Sequence, residues 1–248
     1  MTPGAAPAVF LPGLVMPADL RYAALFHELG DARALIAQDL AVATASSGYS
    51  MEAEIRALDD LARARGIDRF HLYGHSAGGA VALAYAAARP ERILSLALDE
   101  PATDFSDEDL RRPEWSEMRR VRELSFEDGM VLFRRLQVGS DVSPALPPVT
   151  PRWMRAGPQR IAAFSRAVTA HRVAPQRYAR FGGPVLYTYG TLTAPRFAET
   201  AARLVGAFGA LETVRYDGLH HLHSGHQDRP AAVARSLGRL WERAEHQG

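Results

Sequence analysis

The stretch Arg69-Phe-His-Leu-Tyr-Gly74-His75-Ser76-Ala77-Gly78-Gly-Ala, running on through Val81-Ala-Leu-Ala-Tyr-Ala-Ala-Ala-Arg-Pro90, decides how this chain is read. Residues 69–73 are apolar enough for a buried strand. Residues 76–89 are an alanine-rich helix that Pro90 closes. Between them stands Gly74-x-Ser76-x-Gly78, which in a strand–turn–helix context is the sharp turn that presents a serine hydroxyl at the carboxyl end of a sheet. The small neighbours have a steric purpose, because strand and helix must approach closely around the turn. The hydroxyl then sits over a helix N-terminus, whose dipole favours a developing negative charge.

Working outward, apolar runs alternate with amphipathic segments, the pattern of βαβ units and a parallel sheet. Ala8–Leu11 reads as a strand stopped by Pro12-Gly13, and Asp19–Leu29 as a helix with Asp19 as its N-cap. Residues 33–37 read as a strand. Met51–Arg65 reads as a helix ended by Gly66. Residues 93–98 form a fourth strand, 184–189 a fifth and 211–216 a sixth. Helices are expected over 196–208 and 229–244. Residues 102–180 differ in character: rich in Arg, Trp and Met, helical in pattern, and broken by Pro144, Pro147, Pro148 and Pro151. The expectation is an α/β fold with a mostly parallel, doubly wound sheet. Residues 1–101 and 181–248 form the core, and 102–180 an inserted helical cap.

Composition narrows the class. The 248 residues are 47% hydrophobic and 23% charged with net charge +1, as in ordinary globular proteins. Nothing in that balance attracts nucleic acid or an anionic membrane. All basic side chains except histidine are Arg, read as a compositional bias rather than a phosphate site. Cysteine is absent, which excludes disulfides, thiolate metal sites and cysteine nucleophiles. Met1–Ala8 carries no basic residue before its apolar stretch, unlike a secretory signal. The most apolar uncharged run, 77–88, is too short for a bilayer. A cytoplasmic protein acting on a small molecule, with no nucleic-acid or membrane partner, is expected.

The segments FLPGL (10–14), LYGHSAGG (72–79), ILSLALDEPA (93–102) and PVLYTYG (184–190) together resemble the α/β-hydrolase superfamily over nearly the whole chain. The resemblance begins at the family's third strand, so about six strands are expected. It implies Ser76 as nucleophile and an oxyanion hole from the backbone N–H groups of Leu14 and Ala77. It also implies a histidine in the loop after the last strand. That loop, 217–226, holds His220, His221, His223 and His226. Relatives often carry the histidine three positions after a glycine, which favours His221 over His220 and His223. A metal role for this tract lacks the carboxylate–His spacings of known metal motifs. No metal or cofactor is therefore expected. His75 is read as lining the pocket or packing, and His71 as structural.

The acid departs from the family pattern. Relatives place it after the penultimate strand in G-x-x-D, but here Gly190-Thr-Leu-Thr193 ends in threonine. Some relatives carry it after the strand that follows the nucleophile helix, which here ends Leu98-Asp99-Glu100. Glu100 is the favoured replacement, with Asp99 or no carboxylate as alternatives. Trp115, Met118, Phe126, Phe133, Trp153 and Phe164 supply the cap with apolar surface for packing or for a pocket. The expected activity is hydrolysis of an ester, thioester or related acyl bond through an acyl-serine. The alternatives are non-hydrolytic chemistry on the same scaffold (lyase, acyltransferase or cofactor-free proton abstraction) and a silent ligand-binding protein.

Overall fold

The β-branched and aromatic runs pair into one parallel sheet of six strands. These are β1 (Ala8–Leu11), β2 (Leu35–Ala37), β3 (Phe70–His75), β4 (Ile93–Asp99), β5 (Val185–Gly190) and β6 (Leu211–Tyr216), in the spatial order β2-β1-β3-β4-β5-β6. The computed structural model describes residues 5–44, 48–103, 112–171, 173 and 175–246. Residues 104–111 of the expected insert lie outside that set.

The strands alternate sides with period two. Val9, Leu11, Leu72, Leu96, Leu98 and Val185 face one core; Ala8, Phe10, Tyr73, Ala97 and Leu186 face the other. Two apolar faces demand two layers of helices. On the second face lie α1 (Ala18–Leu29), through Tyr22 and Leu25, and the last helix, Pro230–Glu245, through Leu237, Leu240 and Trp241. The first face is covered by α2 (Met51–Ala64), α3 (Ala77–Ala88) and α7 (Pro195–Val205). The α3 helix is apolar all round and correspondingly buried on nearly every side.

Between β4 and β5 the chain makes α4 (Pro113–Arg120), α5 (Phe126–Arg135) and α6 (Gly157–Ala170). The sequence places the six strands and the core helices to within a few residues, and in the insert it sets a helical pattern without helix bounds. One local reading needs correction. Asp19 does not cap α1, whose N-cap position is Pro17. Asp39, from the loop after β2, accepts from the Ala18 N–H instead (2.8 Å). A capping carboxylate supplied from across the fold leaves no local sequence signal. Among the described residues, no helix is long and apolar enough to cross a membrane.

The strand order reverses between β1 and β3, and in open α/β sheets such a switch point opens a crevice at the carboxyl ends of the strands. Glycines let the crevice walls close in. A Cβ on Gly78 would stand 2.2 Å from the Leu11 carbonyl oxygen, and one on Gly74 2.3 Å from that of Gly78. Both obstacles are backbone and cannot rotate away. Gly78→Ala is therefore expected to destabilise the fold by about 3 kcal/mol or more. A fall in the urea midpoint at unchanged m-value would show it, whereas an unshifted midpoint would mean the close approach is not needed.

Candidate active site

Parallel register sets the site. Pairing of Gly74 with Leu98 and of His75 with Asp99 brings the ends of β3 and β4 level. The Ser76 N–H donates to the Asp99 carbonyl (2.9 Å), and the Glu100 N–H to that of Thr188 (3.1 Å). Just beyond these bonds both strands turn sharply. Ser76 has φ +55° and Glu100 φ +48°; among the described residues they are the only non-glycine residues with left-handed φ. Such conformations cost on the order of 1–3 kcal/mol and concentrate at functional sites.

The two strained turns aim their side chains at one imidazole. His221 Nε2 lies 2.9 Å from Ser76 Oγ, and His221 Nδ1 lies 2.7 Å from Glu100 Oε2. The other Glu100 oxygen accepts from the Gly190 N–H (2.8 Å). Gly190 also lets the histidine loop close over β5, because a Cβ there would fall 2.1 Å from the Leu219 carbonyl oxygen. The Phe197 ring stacks on His221 at 4.6 Å and 11° between planes, fixing the ring's tilt.

The other histidines and acids take different places. His220 and His223 pair with each other across a turn, and His223 is 60% exposed beside Asp228. Neither meets Ser76. Asp99 does not reach His221. It holds His226 (2.8 Å) and His75 (3.2 Å) while accepting from Tyr73 (3.1 Å) and Thr188 (2.7 Å). Thr193 lies near enough to Glu100 to favour its charged form. The Thr193 hydroxyl lies 3.3 Å from the Gln137 carbonyl. Position 193, where the resemblance would place an acid, is therefore held by a neutral group whose hydroxyl bonds to the backbone. His71 bridges Ser95 (2.8 Å) and Glu245 (3.1 Å), a structural role.

His226 and its bond to Asp99 were not singled out in the sequence. Its only sequence signal is membership of the histidine-rich loop. His75, Asp99 and His226 bring nitrogen and oxygen atoms within 4.8 Å of one another, the makings of a metal site. They already satisfy each other by hydrogen bonds, and the His75 ring lies 4.8 Å from that of His221.

Electrostatics follow from burial. Desolvation, then the neighbouring His75 and Arg196, hold the His221 imidazolium well below the ordinary value, so the ring is neutral and able to accept a proton. Desolvation, then the adjacent Asp99, push Glu100 up. Burial also opposes charge on Asp99, yet hydrogen bonds from His226 and His75 keep it well below the usual carboxylate range. Desolvation lowers His226 to about 3 and His71 to about 4. In both cases the unfolded chain binds protons that the folded one refuses. Stability is thus expected to fall as pH drops below about 6.5, by on the order of 1 kcal/mol per pH unit for each such ring. Urea midpoints at pH 7 and pH 5 check this; equal midpoints would contradict the buried neutral rings.

The loop after β1 forms the opposite wall. A Cβ at Gly13 would stand 3.8 Å from Ser76 Oγ. The Leu14 and Ala77 N–H groups donate to no backbone or side-chain acceptor among the described residues. The cleft has a cavity volume of about 90 Å³. Beyond Ser76, His75 and His221 it is lined by Val15, Met16, Met130, Phe133, Trp153 and Met154. Of the expected apolar residues of the insert, Phe133 and Trp153 thus face the cleft. Trp115, Met118 and Phe164 are buried in the core that packs the insert helices.

A family model described as alpha/beta hydrolase fold matches residues 29–138. The chain shares the α/β-hydrolase fold. Solved α/β-hydrolase folds superpose along its length. A carboxylesterase of the thaumarchaeon Nitrososphaera gargenis is 18% identical with a TM-score of 0.75, covering 99% of this chain and 93% of that one. An esterase of Thermogutta terrifontis is 18% identical with a TM-score of 0.72, covering 98% and 92%. A hydrolase of Pseudomonas aeruginosa is 18% identical with a TM-score of 0.71, covering 97% and 91%. No curated protein matches the sequence. Identities this low carry the fold of this α/β-hydrolase-fold chain and leave its chemistry to its own residues.

Proposed function

We propose that the protein is a serine hydrolase that cleaves an ester, thioester or related acyl bond of a small molecule. The observation that supports this most is the unbroken chain Ser76 Oγ–His221–Glu100, with contacts of 2.9 and 2.7 Å. Free serine is a weak nucleophile, and a neutral imidazole at this distance is the base that activates it. Oγ attacks the carbonyl carbon as its proton passes to His221 Nε2. The oxyanion is received by the Leu14 and Ala77 N–H groups, each contributing about two to three orders of magnitude in rate. The tetrahedral species collapses to an acyl-Ser76, and His221 returns the proton to the leaving group. Water, deprotonated by His221, then releases the acid and restores Ser76. Glu100 holds the Nδ1–H tautomer and stabilises the imidazolium that forms twice per cycle. The insert, 102–180, acts as a cap, with Phe133, Trp153 and Met154 as its contribution to the substrate wall.

A fluorophosphonate probe tests this reading. Wild type is expected to take up one probe per chain, at a rate that rises with pH as His221 loses its proton. Since burial depresses that residue, the acid limb of kcat/KM on a p-nitrophenyl ester is expected below the ordinary imidazole value of 6.5. No labelling between pH 6 and 9 would eliminate the hydrolase reading.

A further inference from the structure

The cleft wall that completes the site carries two guanidinium groups, Arg21 from α1 and Arg134 from α5, and, among the described residues, no carboxylate. Neither arginine makes an ion pair among the described residues. Arg21 donates only to the neutral Gln227 Oε1 (2.6 Å), itself a lining residue. The Nε atoms of both arginines are sealed from solvent with no hydrogen-bond acceptor. Their charges are close enough to repel, and burial works against the charge of each. An arginine on a helix face ordinarily extends its head into water or finds an acid. Two half-buried, unpaired cations converging on one cleft are unfavourable in the free protein and become favourable when an anion binds between them. The rest of the wall, Val15, Met16, Met130 and Trp153, is apolar.

We propose that Arg21 and Arg134 form an anion site, so that the substrate is an acyl compound with an apolar body and an acidic group, carboxylate or phosphate, away from the scissile bond. This rests on the serine-hydrolase reading only for the bond that is cleaved; the anion site is testable apart from it. Three p-nitrophenyl esters of matched length are compared at low salt: a dicarboxylic acid hemiester, its methyl-capped neutral counterpart, and one ending in phosphate. Wild type is expected to favour at least one anionic ester over the neutral one by about tenfold or more in kcat/KM. Whichever anionic ester is better identifies the acidic group. That preference is expected to collapse towards unity in Arg21→Gln and in Arg134→Gln, and to invert in Arg134→Glu.

Equal turnover of neutral and anionic esters by wild type would overturn the anion site and leave the hydrolase reading standing. If no ester is turned over and no fluorophosphonate is taken up, the hydrolase reading fails. Tryptophan quenching by adipate and by inorganic phosphate, in wild type and the two Gln variants, then decides. Saturable quenching weakened at least about tenfold in the variants upholds the anion site, and its absence removes it.

Discussion

Ser76→Ala is expected to lower kcat/KM on p-nitrophenyl esters by on the order of 10⁴- to 10⁶-fold and to abolish fluorophosphonate labelling. On the proposed mechanism nucleophile and base act as one unit, so without Oγ the imidazole would have nothing to activate. What remains is binding and the Leu14 and Ala77 donors. The change should leave the fold intact. Alanine keeps the Cβ, which packs 3.4 Å from where a Gly13 Cβ would stand, and the backbone bonds of Ser76 N to Asp99 and Ala102 N to Ser76 do not involve the hydroxyl. Urea denaturation should therefore match wild type within about 1 kcal/mol. A folded variant that kept a tenth of its activity would mean that catalysis does not pass through this serine.

Glu100→Gln is expected to cost about three to four orders of magnitude in kcat with little loss of stability. The amide can still accept from the Gly190 N–H, but it carries no charge to balance the imidazolium and can present an N–H to His221, enforcing the wrong tautomer. Stability is spared because the substitution removes a buried charge that burial and Asp99 both disfavour. Asp99→Asn should behave in the opposite way. Four partners, His75, His226, Tyr73 and Thr188, lean on that carboxylate, so its loss should destabilise by about 3 kcal/mol or more and affect turnover less. Thr193→Asp on the Glu100→Gln background is a test of rescue: it should restore part of the loss, because the family resemblance places an acid at position 193. If Asp99→Asn, still folded, proves the more damaging of the two for kcat, the acid has been misassigned.

Much of this site was legible because its signals are local. Gly74-x-Ser76-x-Gly78 needs only its own neighbours to make a strained turn, and the glycine distances across it explain why no other residue fits there. The candidate acid could be narrowed to Asp99 or Glu100 but not chosen. Adjacent residues at a strand end point to opposite sides of the sheet, so a shift of one position sends a carboxylate to a different histidine. The same holds for the loop at 220–226, where His221 faces Ser76 while His226, five positions on, turns under the sheet end to Asp99. Arg21 and Gln227 gave no sign of belonging to the cleft. They come from the first helix and from the short helix Gly225–Asp228, and only the folded chain sets them side by side.

Local pattern alone determines the alternation of buried strands and helices, the helical character of the chain between the fourth and fifth strands, and a serine in a turn too tight for bulky neighbours. These follow from periodicity and sterics within a few residues. Only tertiary packing decides which imidazole meets the serine, which acid stands behind it, that a second buried Asp99 network lies alongside, and that the Arg21 and Arg134 guanidiniums share the cleft. Each of those depends on strand register and helix placement between residues far apart in the chain, where no local pattern constrains distance.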